Sequence, residues 1–269
     1  MQSKSTENQR KESVEEHTKR MYDEFGAEYQ KSRDEKNVFR VYNEFLEVPC
    51  MIKAVGNIKG KKLLDVGCGA GVHAKAYVNK GAKVQGIDIS KTMVEMARER
   101  CKGVDFKVGS MNKLPYASGT FDVVTASLVT DYIKDLKKAL LEVNRVMKKG
   151  GLLYTSDNHP IAMAREAYEN DDIKIRGLGY FIDKKTGKKL NLGRSWREGV
   201  EDFDMLPGMR LKVVKRTFRS YLKAIRDAGF ELIDYIDCKP IPEFKKYDPD
   251  AYELFCKIPI FGICVCRKK

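Results

Sequence analysis

Two rhythms alternate along most of this chain. Short apolar runs at residues 63–66, 83–89, 104–108, 121–127 and 152–156 read as buried strands, and segments 72–79, 90–100 and 136–147 between them carry helical spacing. Strands alternating with helices of this length predict a parallel sheet covered on both faces. Ahead of the first strand, Met21, Tyr22, Phe25 and Tyr29, then Val38, Val41, Tyr42, Phe45 and Leu46, recur at three-and-four spacing and predict amphipathic helices. Pro49 and the glycines at 56 and 60 then punctuate the entry to the sheet.

The rhythm breaks over residues 157–214. There, 180–192 reads as a hairpin turning near Thr186-Gly187. Order resumes with a helix at 220–228 closed by Gly229, a strand at 230–236, and a last strand at 258–266 whose alternation puts Cys264 and Cys266 on one face. The chain therefore divides into a polar tail, 1–20, expected to be disordered or a frayed helix, and one domain, 21–269, with 157–214 as an insert.

The length of 269 residues suits one large α/β domain rather than two. No apolar stretch approaches a membrane span, and residues 1–20 are too polar for a signal peptide, so a cytoplasmic protein is expected. Seven cysteines without paired spacing fit a reducing compartment, and the scattered His17, His73 and His159 suggest no metal site. The net charge of +13 is concentrated: residues 172–226 hold fifteen Lys or Arg against six Asp or Glu. Such a cluster points either to an anionic partner or to a solvated basic face.

The chemistry lies in the segment Leu63-Leu64-Asp65-Val66-Gly67-Cys68-Gly69-Ala70-Gly71. It reads as a strand entering a glycine turn with a helix behind it, which is how an α/β sheet offers backbone N–H groups to a nucleotide-like ligand. Asp88 ends the next strand 21 positions after Gly67, where such folds place the carboxylate that takes the ribose hydroxyls. The order Gly67, Gly69, Gly71, Val72 departs from the G-x-G-x-x-G of nicotinamide enzymes, although a dehydrogenase remains an alternative.

With these residues the chain resembles the class I S-adenosylmethionine-dependent methyltransferases, and the likeness runs from about Tyr22 to Lys269. LLDVGCGAG is similar to that family's cofactor loop, Phe121-Asp122-Val123-Val124 to its fourth strand, and Val146-Met147-Lys148-Lys149-Gly150-Gly151 to the turn before its fifth, with Lys149 replacing the usual proline. The family's small-molecule branch also has a Tyr-containing N-terminal helix over the cofactor, which residues 21–29 resemble. By resemblance the fold is Rossmann-like and doubly wound, with seven strands, the last antiparallel, an N-terminal helical lid and a hairpin-containing substrate insert. One departure stands out: many relatives carry an acid after the third-strand glycine to bind the adenine amino group, and here Ser110 follows Gly109.

The resemblance implies S-adenosyl-L-methionine as cofactor and a small-molecule acceptor. Asp65, Gly67, Cys68, Gly69 and Gly71 would hold the amino-acid end, Asp88 the ribose, and Ile89, Met93, Ser110, Met111, Asn112, Ser127 and Leu128 the adenine or nearby faces, with Tyr22 and Tyr29 closing the pocket. The acceptor would meet the ends of the fourth and fifth strands. His159, on a loop with Pro160 behind it, is the first candidate for general base, and Asp131 and Tyr132 are the others. The acceptor is expected to be a metabolite, an anionic one if the basic cluster is functional. RNA is the alternative acceptor, because Tyr180, Phe181 and Trp196 interleave with that cluster. A non-catalytic cofactor-binding regulator stays open, as does the oligomeric state.

Overall fold

A computed structural model describes residues 12–35, 42–164, 166–169, 174–177, 179–182, 186–192 and 198–269. In chain order the elements are helix α1 (Val14–Asp34), a π-helical turn (Asn43–Glu47) running into α2 (Val48–Ala54), strand β1 (Lys62–Val66), α3 (Val72–Asn79), β2 (Lys83–Asp88), α4 (Lys91–Arg100), β3 (Asp105–Val108), β4 (Phe121–Ser127) and α5 (Leu136–Val146). Strand β5 (Met147–Asn158) and α6 (Pro160–Ala164) lead into six short strands, β6 (Glu166–Glu169), β7 (Lys174–Gly177), β8 (Gly179–Ile182), β9 (Lys189–Leu192), β10 (Gly199–Leu206) and β11 (Met209–Lys215). The chain closes with α7 (Phe218–Asp227), β12 (Phe230–Asp237), α8 (Pro249–Lys257) and β13 (Phe261–Lys268).

Seven strands form one sheet in the order β12-β13-β5-β4-β1-β2-β3. The pairs from β5 to β3 are parallel, and β13 slots antiparallel between β5 and β12. The seven-stranded, doubly wound sheet with an antiparallel last strand is therefore as expected. Neighbouring residues of one strand serve opposite faces: Leu63 packs with Val84, Phe106, Val123 and Ile263 under α3, whereas Leu64 packs with Ile87, Val124, Leu153 and Cys264 under α5 and α7. Cys264 and Cys266 do share a face, the one covered by α5 and α7.

Local signals explain the helices. In α5, Leu136, Ala139, Leu140, Val143 and Val146 form the buried stripe, and the Asp135 side chain caps the start by accepting from the Lys138 N–H at 3.0 Å. Ser90 does the same for α4 and Thr217 for α7.

Four stretches differ from expectation. Helix α1 starts at Val14 rather than near Met21, because Ser13 and Glu16 form a reciprocal capping box. Pro49 does not end the helix before the sheet; it falls in the first turn of α2, where its missing N–H costs least. Strand β5 begins at Met147, with Gly150 in the left-handed region (φ 74°) making a bulge against β4. The last strand begins at Phe261 instead of Ile258, since Asp248 and Pro249 start a helix, α8, just ahead of it.

Within residues 157–214, β8 and β9 pair antiparallel, with Ile182 opposite Lys189. Two further ribbons, β6 with β7 and β10 with β11, accompany this pair. Met209 and Leu211 of β11 are fully buried in a small core with Met21, Tyr29 and Met93, which seats α1 on the body of the protein. The aromatic interleaving proposed for the basic region lies outside what is described, for Trp196 and for the side chains of Tyr180 and Phe181.

The parallel register places Val66 beside Ile87 and Asp88 beside Val108, so the loops after β1, β2 and β3 open side by side at the carboxyl edge of the sheet. Close packing under β2 supports this edge: a Cβ on Gly86 would stand 2.4 Å from the Phe106 ring. Gly86→Ala is expected to cost about 1–3 kcal/mol by overpacking. Urea unfolding measures this, and an unchanged midpoint would contradict the packing.

Candidate active site

The carboxyl edge of the sheet opens into a cleft of about 820 Å³. At its centre, Gly67 and Cys68 donate their N–H groups to the Ile87 carbonyl (2.8 and 3.1 Å), which bends the chain sharply after β1. A Cβ on Gly67 would collide with Val129 at 2.2 Å, whereas one on Gly69 would meet nothing within 4 Å and stand in the cleft. The loop thus presents a bare backbone face of the kind a ligand can approach closely. Gly71, by contrast, is not a cleft residue: it begins α3 at φ 77°, and a Cβ there would press on Ala97 of α4 at 3.2 Å.

Asp88 sits where β2 ends. Its carboxylate accepts from the Gly69 N–H (2.8 Å) and the Ser90 N–H (2.9 Å), holding the glycine loop and the start of α4 together. Burial raises its pKa, and the two backbone donors partly offset that rise. Ile89, Met93, Ser110 and Met111 continue the wall beyond it, and Cys68, Ser127 and Leu128 line the other side. Leu128 is the one non-glycine residue with positive φ (53°) among those described, a strained backbone at the mouth of β4 that its N–H bonds to Ser156 help to hold.

Four of the expected site residues do not reach the cleft. Besides Gly71, Asp65 is buried beneath the loop, where it accepts from the Thr125 hydroxyl at 2.8 Å and keeps its second oxygen unpaired. Burial pushes its carboxyl up to about 6. Asn112 turns to the Glu15 carboxylate. His159 is 8% exposed and lies outside the cleft lining, with both ring nitrogens occupied: Nδ1 accepts from the Ile161 N–H (3.1 Å) and Nε2 faces Asp237 (3.1 Å). Burial lowers its pKa against the pull of Asp237, and its hydrogen bonds make it a brace between β5 and β12. This geometry sets His159, the first candidate for general base, apart from the cleft lining.

Asp131 and Tyr132 do line the cleft. They belong to a one-turn 3-10 segment after β4, pinned by Arg216, whose guanidinium donates to the Thr130 (3.0 Å), Ile133 and Lys134 (3.2 Å) carbonyls. Asp157, at the end of β5, takes the Thr130 hydroxyl and the Asn158 N–H, and the Asn158 amide also donates to Asp131 at 3.1 Å. Burial and the neighbouring Asp157 carboxylate hold the Asp131 carboxyl well above the ordinary range. Tyr132 packs edge-on to Tyr22 at 6.1 Å, and Tyr22 edge-on to Tyr29 at 5.6 Å, so one aromatic row joins α1 to this turn.

A second polar pair was not anticipated. Glu47, 1% exposed, faces His73 Nε2 at 3.0 Å and accepts from the Ser156 hydroxyl at 2.6 Å; both Glu47 and His73 line the cleft. Burial would raise the Glu47 carboxyl, but His73 and Ser156 overcome it and hold it below its usual value, while Glu47 raises His73 against its own burial. The signal lay in the position of His73, two residues past the glycine loop in the first turn of α3.

Within the basic window, Arg210 pairs with Asp202 and Asp204, Lys215 with Glu201, and Lys223 and Arg226 with Asp227, while Arg216 is spent on the turn. Each of these five basic side chains has a partner within the chain.

A family model described as a methyltransferase domain matches residues 64–155. The chain is 30% identical to a ubiquinone biosynthesis O-methyltransferase of Thiobacillus denitrificans over 184 residues, 64% of this chain and 77% of that one. The chain belongs to the class I S-adenosylmethionine-dependent methyltransferases. It is also 36% identical to a demethylmenaquinone methyltransferase of Renibacterium salmoninarum over 111 residues, 41% of this chain but only about half (47%) of that relative. The fold is shared with the crystal structure of an S-adenosylmethionine-dependent methyltransferase from Mesorhizobium loti, at a TM-score of 0.63 and 24% identity over 81% of this chain and 96% of that one.

The cofactor of this methyltransferase is thus S-adenosyl-L-methionine, and the nicotinamide alternative falls away. The bare loop at Gly69 and the carboxylate of Asp88 fit such a molecule. Among the described residues, no helix is long and apolar enough to cross a membrane.

The Glu47–His73 pair makes stability depend on pH in a defined sense. His73 binds its proton more tightly when folded, so its contribution is full below the unfolded pKa and is lost as pH rises through the folded one. His73→Gln is expected to cost about 3 kcal/mol near pH 6, with a gap to wild type that narrows toward pH 9. Urea unfolding across pH tests this, and a gap independent of pH would contradict the charged pair.

Proposed function

We propose that this enzyme methylates a small, mainly apolar acceptor carrying an acidic O–H or C–H, of the phenol or enol class, and that the Asp131–Asp157 pair takes up the proton. One observation carries the reading: the raised-pKa carboxyl of Asp131 faces the same cleft as an apolar wall of Tyr42, Phe203, Leu206, Phe255 and Phe261. That wall offers flat surfaces to an aromatic or polyketide-like ring, and the names of two relatives, a ubiquinone biosynthesis O-methyltransferase and a demethylmenaquinone methyltransferase, support an acceptor of this kind.

Methyl transfer from a sulfonium is an in-line displacement, and the cofactor supplies the activated methyl carbon. The residues have three tasks. Gly67, Cys68 and Gly69 would offer backbone to the amino-acid end, Asp88 would take the ribose hydroxyls, and Met111 and Leu128 would flank the base. Tyr22, Tyr29 and Tyr132 cover the cleft from the side of α1 and exclude water, which strengthens every charge interaction inside. The acceptor's proton passes to Asp131, whose affinity for it is raised by burial and by Asp157, so that transfer from a weakly acidic group is less uphill than to an ordinary carboxylate.

This reading favours a neutral acceptor over an anionic one, and it is supported by Arg210, Lys215, Lys223 and Arg226 being ion-paired and Arg216 being held on backbone carbonyls within the chain.

Asp131→Asn is expected to lower turnover about 100-fold or more, with cofactor affinity unchanged. Since Asp131 keeps its proton to a higher pH than an ordinary carboxyl, wild-type kcat/KM should rise with pH above the usual carboxylate range, and the residual activity of the variant should lack that limb. The assay follows transfer of labelled methyl to a panel of substituted catechols, short-chain demethylated quinols and, as a counter-set, primary amines. Amine methylation without phenol methylation, or an unaffected Asp131→Asn, would overturn the proposal.

A further inference from the structure

Beyond β3, the cleft wall carries a carboxylate that belongs to a distant part of the chain. Gly109, Ser110 and Met111 line the cleft where β3 ends, next to Ile89 and outward from Asp88. Onto this corner α1 lays Glu15, itself a cleft residue. The Ser110 hydroxyl donates to one Glu15 oxygen at 3.2 Å and the Asn112 amide to the other, so both oxygens are fixed at the end of β3. Two donors leave a carboxylate with lone pairs to spare.

The position decides what that spare capacity meets. A nucleoside whose ribose rests on Asp88 extends its base past β2 toward β3, where Met111 and Ile89 offer apolar faces and Glu15 an acceptor. Adenine presents a donor there, its exocyclic amino group. We propose that Glu15 accepts a hydrogen bond from that amino group, so that the N-terminal helix reads the base and is itself held closed by it. Position 110 has no acid, and the charge comes instead from a residue 95 positions earlier.

Two consequences follow from the placement on α1. Glu15, Thr18, Tyr22 and Tyr29 lie along one face of the helix and all line the cleft, so the contact that identifies adenine is rigidly joined to the tyrosines that cover the acceptor side. Helix α1 also has anchors that do not involve the base. Asp23 accepts from Ser90 Oγ (2.8 Å) and the Lys91 N–H (2.7 Å), and His17 Nε2 meets the Arg210 carbonyl at 2.7 Å. Removing Glu15's charge should therefore leave the helix docked and the fold intact.

The proposal rests on the cofactor assignment, and the experiment separates the two. The full chain and its Glu15→Gln variant are titrated calorimetrically with S-adenosylhomocysteine and with S-inosylhomocysteine, in which a carbonyl replaces the amino group. Wild type is expected to prefer the adenine ligand by at least about tenfold, the size of one charge-assisted hydrogen bond. Glu15→Gln is expected to lose about tenfold or more for the adenine ligand and little or nothing for the inosine ligand, to whose carbonyl the new amide can donate. Hydrogen exchange should show added protection of α1 when wild type is saturated with the adenine ligand and less with the inosine ligand. Equal losses for both ligands would make Glu15 a plain helix clamp and overturn the proposal, as would no loss for either. Failure of wild type to bind either ligand would instead bring down the cofactor site itself.

Discussion

One half-buried carboxylate organises the edge of this sheet. Asp88 holds the Gly69 N–H with one oxygen and the Ser90 N–H with the other, so the loop after β1 and the helix after β2 are fixed to the same point. Ser90 passes the connection on through its hydroxyl to Asp23 of α1. Glycine loop, α4 and the N-terminal helix therefore converge on a group whose oxygens are positioned by backbone rather than by mobile side chains. Such preorganisation is what a ribose diol needs, since its hydroxyls are donors of the same kind.

Around that point the cleft repeats one device three times. A carboxylate from one element is laid against polar groups of another: Glu15 of α1 on the β3 loop, Glu47 of the π-turn on His73 and Ser156, and Asp157 of β5 beside Asp131. Each crosses between elements far apart in the chain, and each sits where burial makes an unpaired charge costly. The arrangement ties the two sides of the cleft together, and Asp131, like Asp88, is a cleft carboxyl with a raised proton affinity.

The strand-loop-strand unit from Leu63 to Asp88 was legible because it is local. Its apolar run, its glycines and its terminal acid are read within 26 residues, and the parallel pairing of β1 with β2 follows from the helix between them. What escaped is non-local or hidden by polarity. Residues 14–20 look like a charged tail until Ser13 and Glu16 are recognised as a capping box, and with the tail went Glu15 and Thr18. His159 looked like a base because of its loop and its proline, yet Asp237, 78 residues later, claims its ring. Glu47 and His73 meet across 26 residues, the glutamate ending a π-helical turn that no local pattern announced. The β10–β11 hairpin was announced by Pro207-Gly208, a turn dipeptide lost among the charges around it.

The most direct test of this account is a crystal structure of the protein grown with S-adenosylhomocysteine. Both ribose hydroxyls are expected on the Asp88 carboxylate, the amino-acid end along the backbone of residues 67–69, and the sulfur facing the Asp131 side of the cleft. A ligand bound elsewhere, or ribose hydroxyls that leave Asp88 untouched, would contradict it.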